Sequence, residues 1–256
     1  LGEHASNLGG LIADDIAQSI HGAKAYIADP VVVDELENVA RIAGHPRFER
    51  VSIFHALNQK AIARMHAKKV GKLYSELNLI VVHLGGGISV GAHRKGRVID
   101  VNNALDGDGP FSPERSGSLP VGQLAKLCFS GEVTHAEVKK MIKGEGGFVA
   151  YLDTNDAYDV EKMAVAGDRK ALLVQEALFY QVGKEIGQMA AVLHGKVDAI
   201  LLTGGIAKNP FLVDYLKEMV GFLAEVAVYP GEDELFALAN NGFMILDGEI
   251  EAGIYE

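Results

Sequence analysis

Between Leu77 and Val101 the chain runs through three short apolar stretches separated by two glycine turns, and few folds accommodate that pattern. Leu77 to Leu84 reads as a buried strand, Gly85-Gly86-Gly87 as a turn, and Ile88 to His93 as a second strand. Lys95-Gly96 turns the chain again into a third strand, Val98 to Val101. From Val121 the apolar period becomes helical: Val121 to Phe129, Thr134 to Lys143, and a long stretch from Arg169 to His194 with Leu172, Leu173, Ala177, Tyr180 and Ile186 at helical spacing. Asp198 to Thr203 returns to strand, Gly204-Gly205 breaks it, and Asn209-Pro210 opens a helix through Val220. Phe222 to Tyr229 and Leu235 to Leu246 read as strand and helix. Upstream, Lys24 to Ala28 and Val51 to Phe54 read as short strands, and Ala56 to Val70 as a helix with Leu57, Ala61, Ile62 and Met65 on one face. A sheet entered by hairpins and followed by alternating helices and strands is α/β.

Composition narrows the function classes. The 256 residues, 48% apolar and 23% charged, suffice for one large domain or two ordinary ones. With 24 Lys and Arg against 34 Asp and Glu, the net charge of −10 argues against nucleic acid or an anionic membrane as a main partner. An anionic ligand therefore needs a local cationic pocket. Cys128 is the one cysteine, which excludes an intramolecular disulfide and any CxxC motif and fits a reducing compartment, the cytoplasm by default. No apolar run approaches the roughly 18 residues of a membrane span. The start, Leu1-Gly2-Glu3-His4, has no signal-peptide pattern, and a leucine in first place leads us to expect a missing upstream piece.

Glycines between apolar strands let backbone N–H groups approach an anion, so Gly85-Gly86-Gly87 is either a phosphate cradle or a plain tight hairpin. The P-loop motif is absent, and the three glycines lead into a strand where a dinucleotide fingerprint requires a helix. Thr203-Gly204-Gly205-Ile206 lies between a strand and a helix, which suits a nucleotide cleft or simply ends the strand. Gly87-Ile88-Ser89-Val90-Gly91 matches the G-x-S-x-G elbow of serine hydrolases but continues as a hairpin where the elbow needs a helix. A hydrolase using Ser89, or a nucleotide-binding module without turnover, is the alternative of another class. The loop Asp106 to Gly117, with three glycines and two prolines, carries Arg115, whose fork could clamp a carboxylate or phosphate or else pair with Glu114 or Asp108. His55 precedes a helix, Asp29-Pro30 ends a strand, His83 precedes the first glycine turn, and Glu232-Asp233-Glu234 opens a helix whose dipole already explains the acids.

These segments in this order resemble the acetate and butyrate kinase family of the sugar-kinase, Hsp70 and actin superfamily. The resemblance rests on HASNLG from His4, YIADPVVVDEL from Tyr26, FHALNQKAIAR from Phe54, VVHLGGGISVGAH from Val81 and DGDGPFSPERSGSLP from Asp106. It continues with GGFVAYLDTND from Gly146, GDRKA from Gly167, DAILLTGGIAKNP from Asp198 and YPGEDELFALA from Tyr229. Gly86, where acetate kinases carry Asn, and the GPFSPERSG loop put the likeness on the butyrate side, with acetate, propionate or branched-chain acids as alternatives. The resemblance implies an actin-like ATPase (ribonuclease H-like) fold, a mixed sheet with flanking helices. Residues 1–33 would be the remnant of a first lobe and 34–256 a second lobe whose final helix returns to the first. The implied reaction is reversible transfer of the ATP γ-phosphoryl group to a short-chain carboxylate, with ATP/ADP and Mg²⁺ as cofactors and a homo-oligomer as the assembly.

By matching position, Gly85, Gly86 and Gly87 with His83 resemble the second phosphate loop. Gly204, Gly205, Ile206 and Asn209 resemble part of the adenosine site, and Asp153 the segment near adenine. Arg115 and His55 match the arginine and histidine that contact the transferring phosphoryl. Asp29 matches the magnesium-associated aspartate, and Glu232, Asp233 and Glu234 cover the carboxylate near the metal without a unique register. The family opens with a phosphate hairpin worded N-P-G-S-x-S-x-K and has a further active-site arginine before HASNLG. Neither is in this sequence, so the resemblance implies a chain lacking most of its first lobe.

Overall fold

In a computed structural model the described residues are 7–253, so His4, Ala5 and Ser6 of the HASNLG segment lie outside them. In chain order the elements are α1 (Asn7–Gln18), α2 (Asn38–Arg41), α3 (Ala56–Lys69), β1 (Asn78–Leu84), β2 (Ile88–Arg94) and β3 (Arg97–Val101). Then follow α4 (Val121–Cys128), α5 (His135–Ile142), α6 (Gly147–Leu152), α7 (Ala157–Val165), α8 (Arg169–Val192), β4 (Ala199–Gly204), α9 (Pro210–Val220), β5 (Val226–Pro230) and α10 (Glu234–Leu246). The strands form one mixed sheet in the order β3-β2-β1-β4-β5. β1 pairs antiparallel with β2 and β2 with β3, whereas β1–β4 and β4–β5 are parallel. The hairpins supply the antiparallel half and the helical crossovers the parallel half.

Because strand side chains alternate, β1 divides its residues between two layers. Ile80, Val82 and Leu84 pack with Leu178, Val182 and Ile186 of α8 on one face. Leu79 and Val81 pack with Ala63 and Ala67 of α3 on the other. Burial on both faces is why this strand reads as a nearly unbroken apolar run. His83, Ser89 and His93 share the parity of the α3 side, so the polar residues of β1 and β2 are directed toward one helix. Side-chain caps fix helix starts: Asn209 Oδ1 accepts from Leu212 N at 3.1 Å with Pro210 in the first turn of α9, and Asp168 Oδ1 accepts from Lys170 N at 2.8 Å at α8.

Four expectations are corrected. Lys24 to Ala28 forms no strand. Val51 to Phe54 is no strand either; it is held by separate bonds, Phe54 N to Val31 O at 3.2 Å and Ala104 N to Ile53 O at 2.9 Å, without a continuous ladder. Apolar β-formers make a strand only where a neighbouring strand can pair with them. The buried residues of α3 are Ala56, Asn58, Gln59, Lys60, Ala63, His66 and Ala67, while Met65 is 44% exposed. Gln59 and Lys60 are buried because each finds polar partners there. The strand expected from Phe222 begins only at Val226, and α1, α2, α6 and α7 had no separate place in the periodicity. α10 lies across α3, where Arg64 Nη1 donates to Asn241 Oδ1 at 3.3 Å. No described side chain of α1 is buried.

Candidate active site

The glycine turn joins β1 to β2, closed by Gly85 N donating to Gly87 O at 3.1 Å, and its three residues have different surroundings. A Cβ on Gly85 would stand 2.9 Å from Glu232 Oε1 and 3.0 Å from His83 Nε2. One on Gly87 would overlap the Arg115 guanidinium, 2.8 Å from its Cζ, and come within 3.3 Å of His55 Cε1. At Gly86 the nearest atom is Glu114 Oε1 at 4.0 Å, and the residue is exposed. Thus Gly85 and Gly87 admit neighbouring side chains, and Gly86 presents backbone to open space.

That space is a cleft of about 530 Å³ between Gly85-Gly86 and the 3₁₀ turn Gly205–Lys208. Ile206 and Asn209 line it, as do Asn155 just before α7 and Tyr158 and Glu161 on it. A Cβ on Gly205 would meet nothing within 4 Å, so here too bare backbone faces the cleft. Gly204 is glycine for another reason: its φ is +91°, and a Cβ would lie 2.6 Å from Leu84 C and 2.7 Å from Leu84 N. Glu232 ties the two turns together, accepting from Gly205 N–H and lying 3.3 Å from His83 Nε2. The His83 hydrogen bond, more than the Gly205 amide, holds this carboxyl below its ordinary range. His83 is itself anchored, with Nδ1 2.9 Å from Asn58 Oδ1.

A second cleft of about 460 Å³ is lined by His55 and Arg115, the side chains beside Gly87, by Asp29 and Glu234, and by apolar residues including Ile27, Val31, Phe54 and Leu57. His55 stands at the N-cap position of α3, its ring stacked on His83 at 3.8 Å and 15°. Its Nδ1 is 2.8 Å from Ser89 Oγ. Arg115 Nη1 donates to Ala104 O at 2.6 Å, and its Nε is buried with no hydrogen-bond partner among the described residues. Burial lowers the guanidinium pKa. Arg115 makes no ion pair with Glu114 or Asp108 among the described residues; Asp108 lies 3.8 Å from Arg50. The arginine loop is bound to the glycine turn through Ser112 Oγ, which donates to Gly86 O at 2.6 Å.

The acids of the sequence reading separate. Asp29, with φ of +39°, sits between Lys60 at 3.5 Å and Arg64 at 3.1 Å, so its charge is balanced by protein. Glu232 lines the first cleft and Glu234 the second, while Asp233 accepts from Phe236 N at 3.0 Å to cap α10. Among the described residues no group of three or more His, Cys, Asp or Glu could share a metal ion. One carboxylate, Glu232, beside glycines whose backbone borders an open cleft nevertheless fits magnesium, which keeps waters and substrate phosphates as most of its ligands. Asp153 is an exposed left-handed residue ending α6 and lines neither cleft. Asn155, Tyr158 and Glu161 just downstream do line the first, and the capping Asp156 was the available signal. Ser89 is 0% exposed within a strand that continues to Arg94, so the hydrolase alternative lacks an accessible nucleophile.

The fold superposes on the crystal structure of Porphyromonas gingivalis acetate kinase with a TM-score of 0.81, covering 94% of this chain and 68% of that one at 20% identity. This defines an α/β protein with the acetate kinase fold. Residues 49–228 match the acetokinase family, and the chain belongs to it. Butyrate kinase 2 of Clostridium acetobutylicum is 57% identical over 255 residues, which are 100% of this chain and 71% of that protein. Butyrate kinase 1 of the same organism is 58% identical over 255 residues, 72% of its length.

Proposed function

We propose that the chain transfers the γ-phosphoryl group of ATP reversibly to a short-chain carboxylate, butyrate in the first instance. The observation that carries this reading is a pair of unlike clefts, one lined by Gly85 and Gly86 and the other by the Arg115 and His55 side chains that flank Gly87. One cleft has backbone glycines with room for a phosphate, and the other combines a buried arginine, a histidine and apolar walls. The first suits a nucleotide and the second a carboxylate with a short alkyl tail.

A carboxylate is already a nucleophile, so no general base is required. One carboxylate oxygen bonds to the γ-phosphorus as the bond to the β,γ-bridging oxygen breaks, and ADP leaves. Catalysis then reduces to alignment and to charge stabilisation on the transferring oxygens. Arg115 and His55 donate hydrogen bonds to those oxygens in this reading, with the Ser112–Gly86 bond fixing the arginine loop against the phosphate turn. Gly86 and Gly205 admit the nucleotide, Asn155 and Tyr158 border its base, and Ile27, Val31, Phe54 and Leu57 exclude water around the acyl chain. Glu232 would hold Mg²⁺, whose charge offsets that of the phosphates; Asp29 serves instead to position Lys60 and Arg64. Residues 1–33 belong to a first lobe and 34–256 to a second. The cytoplasm is the compartment that ATP and a free thiol at Cys128 suit. Among the described residues no helix is long and apolar enough to cross a membrane.

The test runs the reaction backward. ATP formation from ADP and butyryl phosphate, faster than from acetyl, propionyl or isobutyryl phosphate, is expected. A faster rate with one of the other acyl phosphates would move the substrate within the family, and a nucleotide-binding chain that makes no ATP from any of them would sink the reading.

A further inference from the structure

Between α3 and β2 runs a file of polar groups that the proposed chemistry does not use: Tyr74, His93, Gln59 and Ser89, ending at His55. Gln59, Ser89 and His93 are each 0% exposed. Tyr74 Oη is 2.7 Å from His93 Nδ1, and His93 Nε2 is 2.9 Å from Gln59 Oε1. Gln59 Nε2 is 2.8 Å from Ser89 Oγ, and Ser89 Oγ is 2.8 Å from His55 Nδ1. Gly91 makes this possible, since a Cβ there would stand 2.5 Å from Gln59 Oε1 and 3.1 Å from His93 Nε2.

Heavy-atom distances alone do not assign the protons, but one acceptor does. Gln59 Nε2 is also 3.1 Å from the backbone oxygen of Ser89, and a carbonyl oxygen can only accept. The amide nitrogen of Gln59 therefore faces β2 and its oxygen faces His93. It follows that His93 carries its proton on Nε2 and accepts at Nδ1 from the Tyr74 hydroxyl. Burial agrees with both roles, pushing His93 down to about 3, so that it is neutral, and pushing the Tyr74 phenol up, so that it keeps its proton. At the other end Ser89 Oγ accepts from Gln59 Nε2 and, at 3.4 Å, from His55 N–H. Its single proton is left for His55 Nδ1.

We propose that this directional file, polarised by the Ser89 carbonyl, holds neutral His55 as its Nε2–H tautomer, making Ser89 and Gln59 positioning residues for the histidine. An imidazole whose Nδ1 accepts must carry its proton on Nε2. Resting on the kinase reading, that nitrogen is the one that donates to the transferring phosphoryl group. The overlap of Gly87-Ile88-Ser89-Val90-Gly91 with a hydrolase motif thus acquires a different use: Ser89 orients His55, and Gly91 makes room for the glutamine that orients Ser89.

The test is long-range ¹H–¹⁵N spectroscopy of the whole chain labelled in its histidines, at pH 8 where an ordinary imidazole is neutral. His55→Asn assigns the signal. The expected wild-type pattern is a single Nε2–H tautomer for His55, becoming a tautomer mixture in Ser89→Ala and in Gln59→Met. An Nδ1–H pattern in the wild type overturns the proposal without any variant having to fold. So does a folded Ser89→Ala in which the pure Nε2–H pattern persists. In turnover, Ser89→Ala should lower kcat about tenfold, the worth of one orienting hydrogen bond, with the KM for ATP and acid unchanged. Loss of nucleotide affinity in proportion to kcat would make the serine merely structural and overturn its positioning role. The Nε2–H tautomer in a chain that phosphorylates no acid would support the file and sink the kinase reading.

Discussion

Two adjacent glycines, Gly204 and Gly205, should respond oppositely to the same substitution. Gly204 closes β4 with φ of +91° and ψ of 172°, a region almost restricted to glycine, so alanine there carries about 1–3 kcal/mol of backbone strain. Its Cβ would also overlap the backbone oxygen of Leu84, standing 2.6 Å from Leu84 C. That neighbour is the end of β1, which cannot swing aside as a side chain can, and such overpacking costs about 1–3 kcal/mol more. The total of roughly 2–6 kcal/mol should lower the melting temperature of a chain this size by roughly 5–20 °C. Gly205, one residue on, has nothing within 4 Å of a Cβ, and Gly205→Ala should change stability by no more than about 0.5 kcal/mol. Its methyl would instead enter the cleft proposed for the nucleotide and weaken ATP binding at least about tenfold. Thermal denaturation by circular dichroism and calorimetric titration with ATP measure both. A Gly204→Ala melting temperature within about 2 °C of wild type, or a Gly205→Ala protein that melts as low as Gly204→Ala, would refute the assignment of one glycine to packing and the other to ligand.

Arg115→Ala should cut turnover about 10²–10³-fold while changing ATP affinity little, and equal losses in both would make it mainly a binding residue. A fluorophosphonate probe should leave the folded chain unlabelled, because Ser89 is 0% exposed; stoichiometric labelling at Ser89 would revive the hydrolase alternative. Glu185 on α8 is raised by burial from its ordinary 4.5 to about 7, with Asp108 adding to the shift and Arg50 opposing it. Between those pH values the folded state holds the extra proton, so stability falls as pH rises through the window. Glu185→Gln lacks that loss and should be more stable than wild type by up to about 3 kcal/mol at pH 8, the advantage disappearing at pH 4. The same melting-temperature difference at both pH values would contradict the buried, protonated carboxyl.

The hairpin region was legible because local signals agree: apolar runs, a triple glycine and Lys95-Gly96 leave β1, β2 and β3 little choice. The inner face of α3 was not, because periodicity counts apolar side chains and that face is built from Gln59, Lys60 and His66. Their burial depends on partners distant in sequence, such as Glu35 at 2.8 Å from Lys60 and Tyr229 at 2.8 Å from His66. The same limit governs the site. The structure brings His55 and Arg115 together at Gly87, and Gly85, Gly86 and Gly205 to one cleft. No motif spacing revealed that Asp29 would lie between Lys60 and Arg64, or that the three acids at 232–234 would divide between two clefts and a helix cap. The hydrogen-bonded file behind His55 was hidden for the further reason that its direction depends on a backbone carbonyl, which no side-chain pattern encodes.

The most direct test of carboxylate phosphorylation is acyl hydroxamate formation with ATP, Mg²⁺ and hydroxylamine. It should compare butyrate, isobutyrate, propionate and acetate, using the chain alone and the chain preceded by the family's opening phosphate hairpin and arginine segment. Hydroxamate formed fastest from butyrate, and abolished by Arg115→Ala, is the expected result. Absence of product from every acid in both forms, while ATP still binds, would contradict the assignment and leave a nucleotide-binding protein without phosphoryl transfer.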